Sequence, residues 1–153
     1  QKRPDGKFKD TSRLISESGE YVINLVDMDL AESMNISSIN FDPEYDEFAL
    51  AGLTPRASRL IAPPRIKEAP ISFECRRTVT LQLSAERDLV VGEVLTMHAR
   101  DGLIDPETLY LDLEKYDVVG RLYADLYAPL REVFSLKSPI QEDWLANHHK
   151  KKL

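Results

Sequence analysis

Cysteine is nearly missing from this chain: Cys75 is the only one in 153 residues, which excludes an internal disulfide and fits a reducing, cytoplasmic setting. The six glycines never take the G-x-G-x-x-G spacing of a dinucleotide fingerprint. No apolar run is long enough to span a bilayer, and the residues after Gln1 lack a secretory leader pattern, so no membrane partner is expected. Positive charge is in deficit, with 20 Lys and Arg against 26 Asp and Glu, a net charge of −6. That balance argues against nucleic acid, which demands a basic face to displace counterions. The one basic cluster, Lys150-Lys151-Lys152, reads as a solvated tail. His148-His149 has no partners at metal-ligand spacing, so no metal site is expected, and no catalytic triad is evident. With 42% hydrophobic and 30% charged residues, the chain reads as a single globular domain with a sizeable core.

Small polar residues form two patches, one at Lys9-Asp10-Thr11 and one at Asp29-Leu30-Ala31-Glu32-Ser33-Met34-Asn35-Ile36-Ser37-Ser38. Each puts side-chain acceptors and free amides beside a helix end, where unpaired N–H groups and the helix dipole favour an anion. Each also reads as an ordinary helix cap, the commoner use of such residues. Two patches in one short acidic chain point to a phosphate-bearing ligand.

Along the chain, Asp10 or Thr11 opens a short helix that Gly19 stops. The run Tyr21-Val22-Ile23-Asn24-Leu25-Val26 suits a strand buried on both faces. Asp29 is expected to open a second short helix, and residues 47–51 a third, stopped by Gly52. Pro55, Pro63, Pro64 and Pro70 keep residues 54–69 mostly extended, with at most a short strand. From Ile71 onward, Ile71, Phe73, Cys75, Val79, Leu81 and Leu83 alternate with polar residues, predicting one apolar face broken only by Arg77. A turn over 84–88 and a returning strand over 89–100 follow. Strands of roughly ten residues, against a usual five or six, belong to a barrel or strongly coiled sheet. Gly92 inside the second strand predicts a bend or a close backbone approach. A short helix from Asp105, a last strand over 130–136 and a helix opened by Ser138-Pro139 complete the expectation. The fold class is mainly β, an antiparallel barrel with short peripheral helices.

Several stretches in order resemble one family, the flavin reductase-like proteins with an FMN-binding split barrel. They include Phe8-Lys9-Asp10-Thr11, Gly19-Glu20-Tyr21-Val22-Ile23-Asn24-Leu25-Val26 and the patch from Asp29 to Ser38. The likeness continues through Ala51-Gly52-Leu53-Thr54-Pro55, Phe73-Glu74-Cys75, Val91-Gly92-Glu93-Val94, Arg100-Asp101-Gly102 and Val119-Gly120-Arg121-Leu122. It implies that residues 1–153 are one split-barrel domain, N-terminally incomplete, because family members carry several strands before the lysine-aspartate-threonine motif. It also departs from the family at Tyr123-Ala124, where similar proteins often have a glycine pair.

The resemblance implies FMN as cofactor, NAD(P)H as co-substrate in many members, and a homodimer. Toward FMN, Lys9 would neutralise the phosphate and Thr11 would donate to it, with Asp10 capping the helix beside them. Asn35, Ser37 and Ser38 would serve the ribityl chain or the flavin edge. His98 is open between a nicotinamide site and a structural histidine, and Arg100 between the site and a surface ion pair with Asp101. No protein nucleophile is required and no catalytic residue is assigned, because the flavin carries the electrons. Three functions stay open: an NAD(P)H:flavin oxidoreductase, an FMN electron carrier without its own pyridine-nucleotide site, and a non-catalytic interaction module.

Overall fold

The computed structural model describes residues 10–42 and 44–148, so Lys9, His149 and the lysine run lie outside the described residues. Helix α1, Asp10–Ser18, carries an Arg13–Glu17 ion pair one turn apart, and Gly19 ends it at φ +69°. Strand β1, Glu20–Asn24, follows directly. The next reversal is capped by Asp27, not Asp29: the buried Asp27 carboxylate accepts from the Leu30 N–H at the head of a 3₁₀ turn, Met28–Leu30, that runs into α2, Ala31–Ile36. Asp46 caps the short α3, Glu47–Leu50, and Gly52 terminates it at φ +66°.

The proline-rich segment holds two minimal strands, β2, Pro55–Arg56, and β3, Arg65–Ile66, which pair with each other. Beyond it, β4, Ile71–Ser84, and β5, Arg87–Ala99, form a long antiparallel hairpin closed by Ala85 and Glu86. Strand β1 pairs with the base of β4, giving the order β1-β4-β5. Among the described residues β1 has β4 alone as a neighbour and none of its residues is fully buried, contrary to the expected doubly covered strand.

The single apolar face expected along β4 is also divided. Arg77 pairs with Gly92 and Val79 with Val91, so Thr78 is an extra residue in the ladder. Gly92 and Val91 are consecutive in β5 and point to opposite faces, and Val79 therefore lies on the opposite side from Arg77. Val79 with Val91, and Leu81 with Leu89, become exposed cross-strand pairs toward the hairpin tip. Gly92 is a point of close approach, as expected: a Cβ there would collide with the Tyr21 hydroxyl and lie 2.8 Å from the Arg76 carbonyl oxygen. Cys75, in the same sheet, is buried opposite Tyr21. Burial pushes its thiol pKa up, against a smaller opposing effect of the Tyr21 hydroxyl.

A core of Ile71, Leu103 and Tyr116, flanked by Leu25, Phe73 and Val118, sits where the base of the hairpin meets the following loop. Asp105 makes a turn here rather than a helix, its carboxylate accepting from the Glu107 and Thr108 N–H groups before Leu109 reverses at φ +60°. The expected strand over 130–136 has no ladder. The late strands are β6, Val119–Arg121, and β7, Tyr127–Pro129, followed by α4, Gln141–His148. Mainly β with short helices is the observed class, but among the described residues the strands form three separate antiparallel sheets and no closed barrel. No described helix is long and apolar enough to cross a membrane.

Candidate functional site

The proline-rich segment 54–69 satisfies only part of its backbone in the short β2–β3 ladder, and side chains of the main sheet take up further N–H groups. Glu74 of β4 takes the Arg59 and Leu60 N–H groups, one on each carboxylate oxygen, both at 2.8 Å. Glu20 accepts from the Ala62 N–H at 3.0 Å, and Asn24 accepts from the Ile66 N–H at 3.2 Å and the Ser72 hydroxyl at 2.8 Å. Within the segment, Glu68 accepts from the Thr54 N–H at 3.1 Å. Three side chains from β1 and β4 thus hang an irregular loop over the base of the sheet.

Glu74 is the centre of this arrangement. It is fully buried, and besides the two amides it meets the His98 ring nitrogen Nε2 at 2.7 Å and Arg65 Nε at 3.6 Å. The Arg65 contact is an ion pair too long for a hydrogen bond, so the buried Nε has no hydrogen-bond partner. Burial works against ionisation of Glu74, but the Arg59 and Leu60 amides and the His98 ring outweigh it and hold the carboxyl below its ordinary pKa. An ionised Glu74 requires the proton on His98 Nε2, which leaves Nδ1 as the free ring nitrogen.

The hung segment closes a basic cleft of about 440 Å³ against the ends of β4 and β5. Arg56, Arg65, Lys67, His98 and Arg100 line it, with Asp101 as the one lining carboxylate. Arg100 is tied down from behind, donating at 2.8 Å to both the Asp27 carboxylate and the Glu68 carbonyl.

A second, larger cleft of about 610 Å³ lies between α2 and the β6–β7 pair. Met28, Met34, Val119 and Pro129 give it apolar walls, while Asn35, Ser38, Arg121 and Asp125 add polar groups. The Arg121 guanidinium lies 5.8 Å from the centre of the Tyr127 ring, a cation–π distance. The Asn35 side-chain amide has no hydrogen-bond partner among the described residues, whereas the Ser37 and Ser38 hydroxyls donate to the Met34 and Asn35 carbonyls.

The candidate residues read from the sequence therefore separate into groups. Asn35 and Ser38 line the larger cleft, Ser37 borders a small cavity beside Leu25 and Leu53, and His98 and Arg100 line the basic cleft. Asp10 and Thr11 stand at the first turn of α1, and Lys9 lies outside the described residues. Arg100 pairs with the distant Asp27 rather than with its neighbour Asp101. Sequence reasoning passed over Glu74, Arg65 and Asp27. The signal for Glu74 was present in the hairpin register: Ser72 opposes His98, so Glu74 is its diagonal neighbour on one face. Among the described residues no cluster of His, Cys, Asp and Glu could hold a metal ion.

Comparison with known proteins agrees with this architecture. The model of the flavin reductase like domain matches residues 6–120. An uncharacterized protein of Aquifex aeolicus is 38% identical over 125 residues, which cover 82% of this chain and 63% of that protein. The chain thus spans less than two thirds of that relative's length. Among solved structures, nitrilotriacetate monooxygenase component B from Bacillus cereus is 33% identical with a TM-score of 0.80, covering 88% of this chain and 68% of the other. A split barrel domain from Shewanella frigidimarina, 24% identical, gives a TM-score of 0.76 over 84% of this chain and 65% of its own, a likeness of fold. On this evidence the chain belongs to the flavin reductase like domain family.

Proposed function

We propose that the protein is an FMN-dependent oxidoreductase that accepts hydride from NAD(P)H and passes the electrons to a flavin or another acceptor. Family membership carries the reading, and the 33% likeness to a monooxygenase component supports redox chemistry.

The larger cleft fits a flavin by chemistry and size. Its volume falls within the ~300–1,000 Å³ usual for small-molecule sites. Met28, Met34 and Val119 offer apolar surface to a flat ring, and the unengaged Asn35 amide can donate to and accept from its polar edge. Ser38, whose proton is already committed, retains only acceptor capacity toward ribityl hydroxyls, while Ser37 borders the small cavity beside Leu25 and Leu53 rather than this cleft. Lys9 and Thr11 are assigned the phosphate. A bound flavin supplies the electron-carrying chemistry, while these residues bind and orient it.

The test is anaerobic mixing of the full-length protein with FMN and NADH or NADPH while flavin absorbance is followed. Bleaching with either nucleotide is expected. FMN binding without bleaching by either would reduce the protein to an electron carrier, and no FMN binding would remove the reading altogether. Lys9→Ala should weaken FMN far more than riboflavin, since only FMN carries the phosphate.

A further inference from the structure

The structure assigns the basic cleft to a phosphate- or pyrophosphate-bearing ligand, gripped by Arg56 and Lys67 with the free nitrogen of His98 beside them. This site is separate from the flavin cleft and does not depend on the reading of that cleft.

The charge pattern is the first ground. In a chain of net charge −6, four permanent cations converge on one concavity of about 440 Å³ with a single carboxylate, Asp101, among its lining. Two of the four are already balanced from behind: Arg65 faces the buried Glu74, and Arg100 holds Asp27. Among the described residues Arg56 has no ion-pair or hydrogen-bond partner for its side chain, and Lys67 has its sequence neighbour Glu68 as its one electrostatic partner there. The uncompensated charge therefore lies at the lip formed by β2 and the turn after β3, where a multivalent anion is the complementary ligand.

The second ground is construction. The loop that delivers Arg56, Arg65 and Lys67 has little ladder of its own and is fixed by Glu74, Glu20 and Asn24. Such anchoring fixes the backbone from which these side chains project, so a ligand has the side chains to order but not the loop. The third ground is His98. Its Nε2 is consumed by Glu74, and Nδ1 has no partner among the described residues although the residue lines the cleft. A neutral ring accepts at Nδ1 from a protonated phosphate oxygen, and an imidazolium donates to an ionised one. Planar guanidinium forks match phosphate oxygens in the same way.

Inorganic pyrophosphate is the probe, and the His98 ring resonance is the readout; within residues 1–153 it is told apart from His148 and His149, and substitution of His98 assigns it. Pyrophosphate should move the His98 resonance in a saturable manner. The double variant Arg56→Gln with Lys67→Gln should weaken that binding about tenfold, the loss expected for two exposed charge contacts. An unmoved His98 resonance, or equal affinity in the double variant, overturns the assignment. Competition identifies the source of the phosphate: displacement by ADP-ribose but not FMN marks a dinucleotide, whereas displacement by FMN but not ADP-ribose overturns the separation of this site from the flavin and moves the flavin phosphate here from Lys9 and Thr11. A protein that binds pyrophosphate here yet fails to bind FMN leaves this site standing while the flavin reading falls.

Discussion

Replacing Glu74 by Gln is the sharpest perturbation available. The glutamine is isosteric, so packing is kept and only the electrostatics change. Today the carboxylate satisfies two backbone N–H groups and the His98 ring, and faces the Arg65 guanidinium. A glutamine oxygen can keep one amide, but its NH₂ group must then point at the other N–H, setting donor against donor. Arg65 also loses its counter-charge while buried. Breaking a buried pair from one side costs about 3–5 kcal/mol, against a total stability of roughly 5–15 kcal/mol for an ordinary domain. At about 2–4 °C per kcal/mol for a chain of this size, the melting temperature should fall by roughly 6–20 °C. The measurement is urea or thermal unfolding followed by circular dichroism at pH 7.

The pH dependence provides a second reading of the same variant. Because the folded pKa of Glu74 lies below its ordinary value of 4.5, ionised Glu74 adds stability that is fully present above that value. The contribution disappears as pH falls through the folded pKa. Wild type should therefore lose stability on acidification in that window with a steeper slope than Glu74→Gln. A loss below about 1 kcal/mol at pH 7, with parallel acid slopes, would refute the account of Glu74 as the anchor of the loop.

Two further substitutions test the backbone arguments. Gly92→Ala should destabilise by about 1–3 kcal/mol in urea unfolding, because the Arg76 carbonyl is backbone and cannot yield to the added Cβ; Tyr21→Phe in the same chain should recover only part of it. Ala124, held at φ +49°, should prefer glycine: relief of about 1–2 kcal/mol of left-handed strain exceeds the roughly 0.4–1 kcal/mol added by a freer unfolded chain. Ala124→Gly should thus raise the melting temperature slightly, and a fall would show that the strain is not there.

Much of the local structure was legible in the sequence because it is governed by local chemistry. Gly19 and Gly52 stop their helices at positive φ, and the long hairpin follows from alternation. What failed did so for non-local reasons. The extra residue at Thr78 moves Val79 to the other face, and alternation read along one strand cannot register an insertion defined by its partner. Asp29 has the right chemistry for a cap, yet Asp27 takes the role because it is also held by Arg100, 73 residues away. Glu74 sits at a polar position in the alternation and reads as solvent-facing, although the proline-rich loop folds over that face and buries it. The basic cleft was hidden for the same reason: its cations come from three separated segments brought together by the short β2–β3 ladder and by tertiary hydrogen bonds.

The solitary cysteine makes the molecule its own stopwatch. Cys75 is 1% exposed on the central strand β4, between Tyr21 of β1 and Val94 of β5, so a thiol reagent reaches it only when the sheet opens around it. With its pKa raised by burial, the closed form offers little thiolate, and labelling is limited by opening rather than by chemistry at the surface. With one sulfhydryl in the chain, each labelled molecule records one excursion of the same ladder. The rate of colour development with an aromatic disulfide thereby measures how often the sheet opens around Cys75, without any engineered probe.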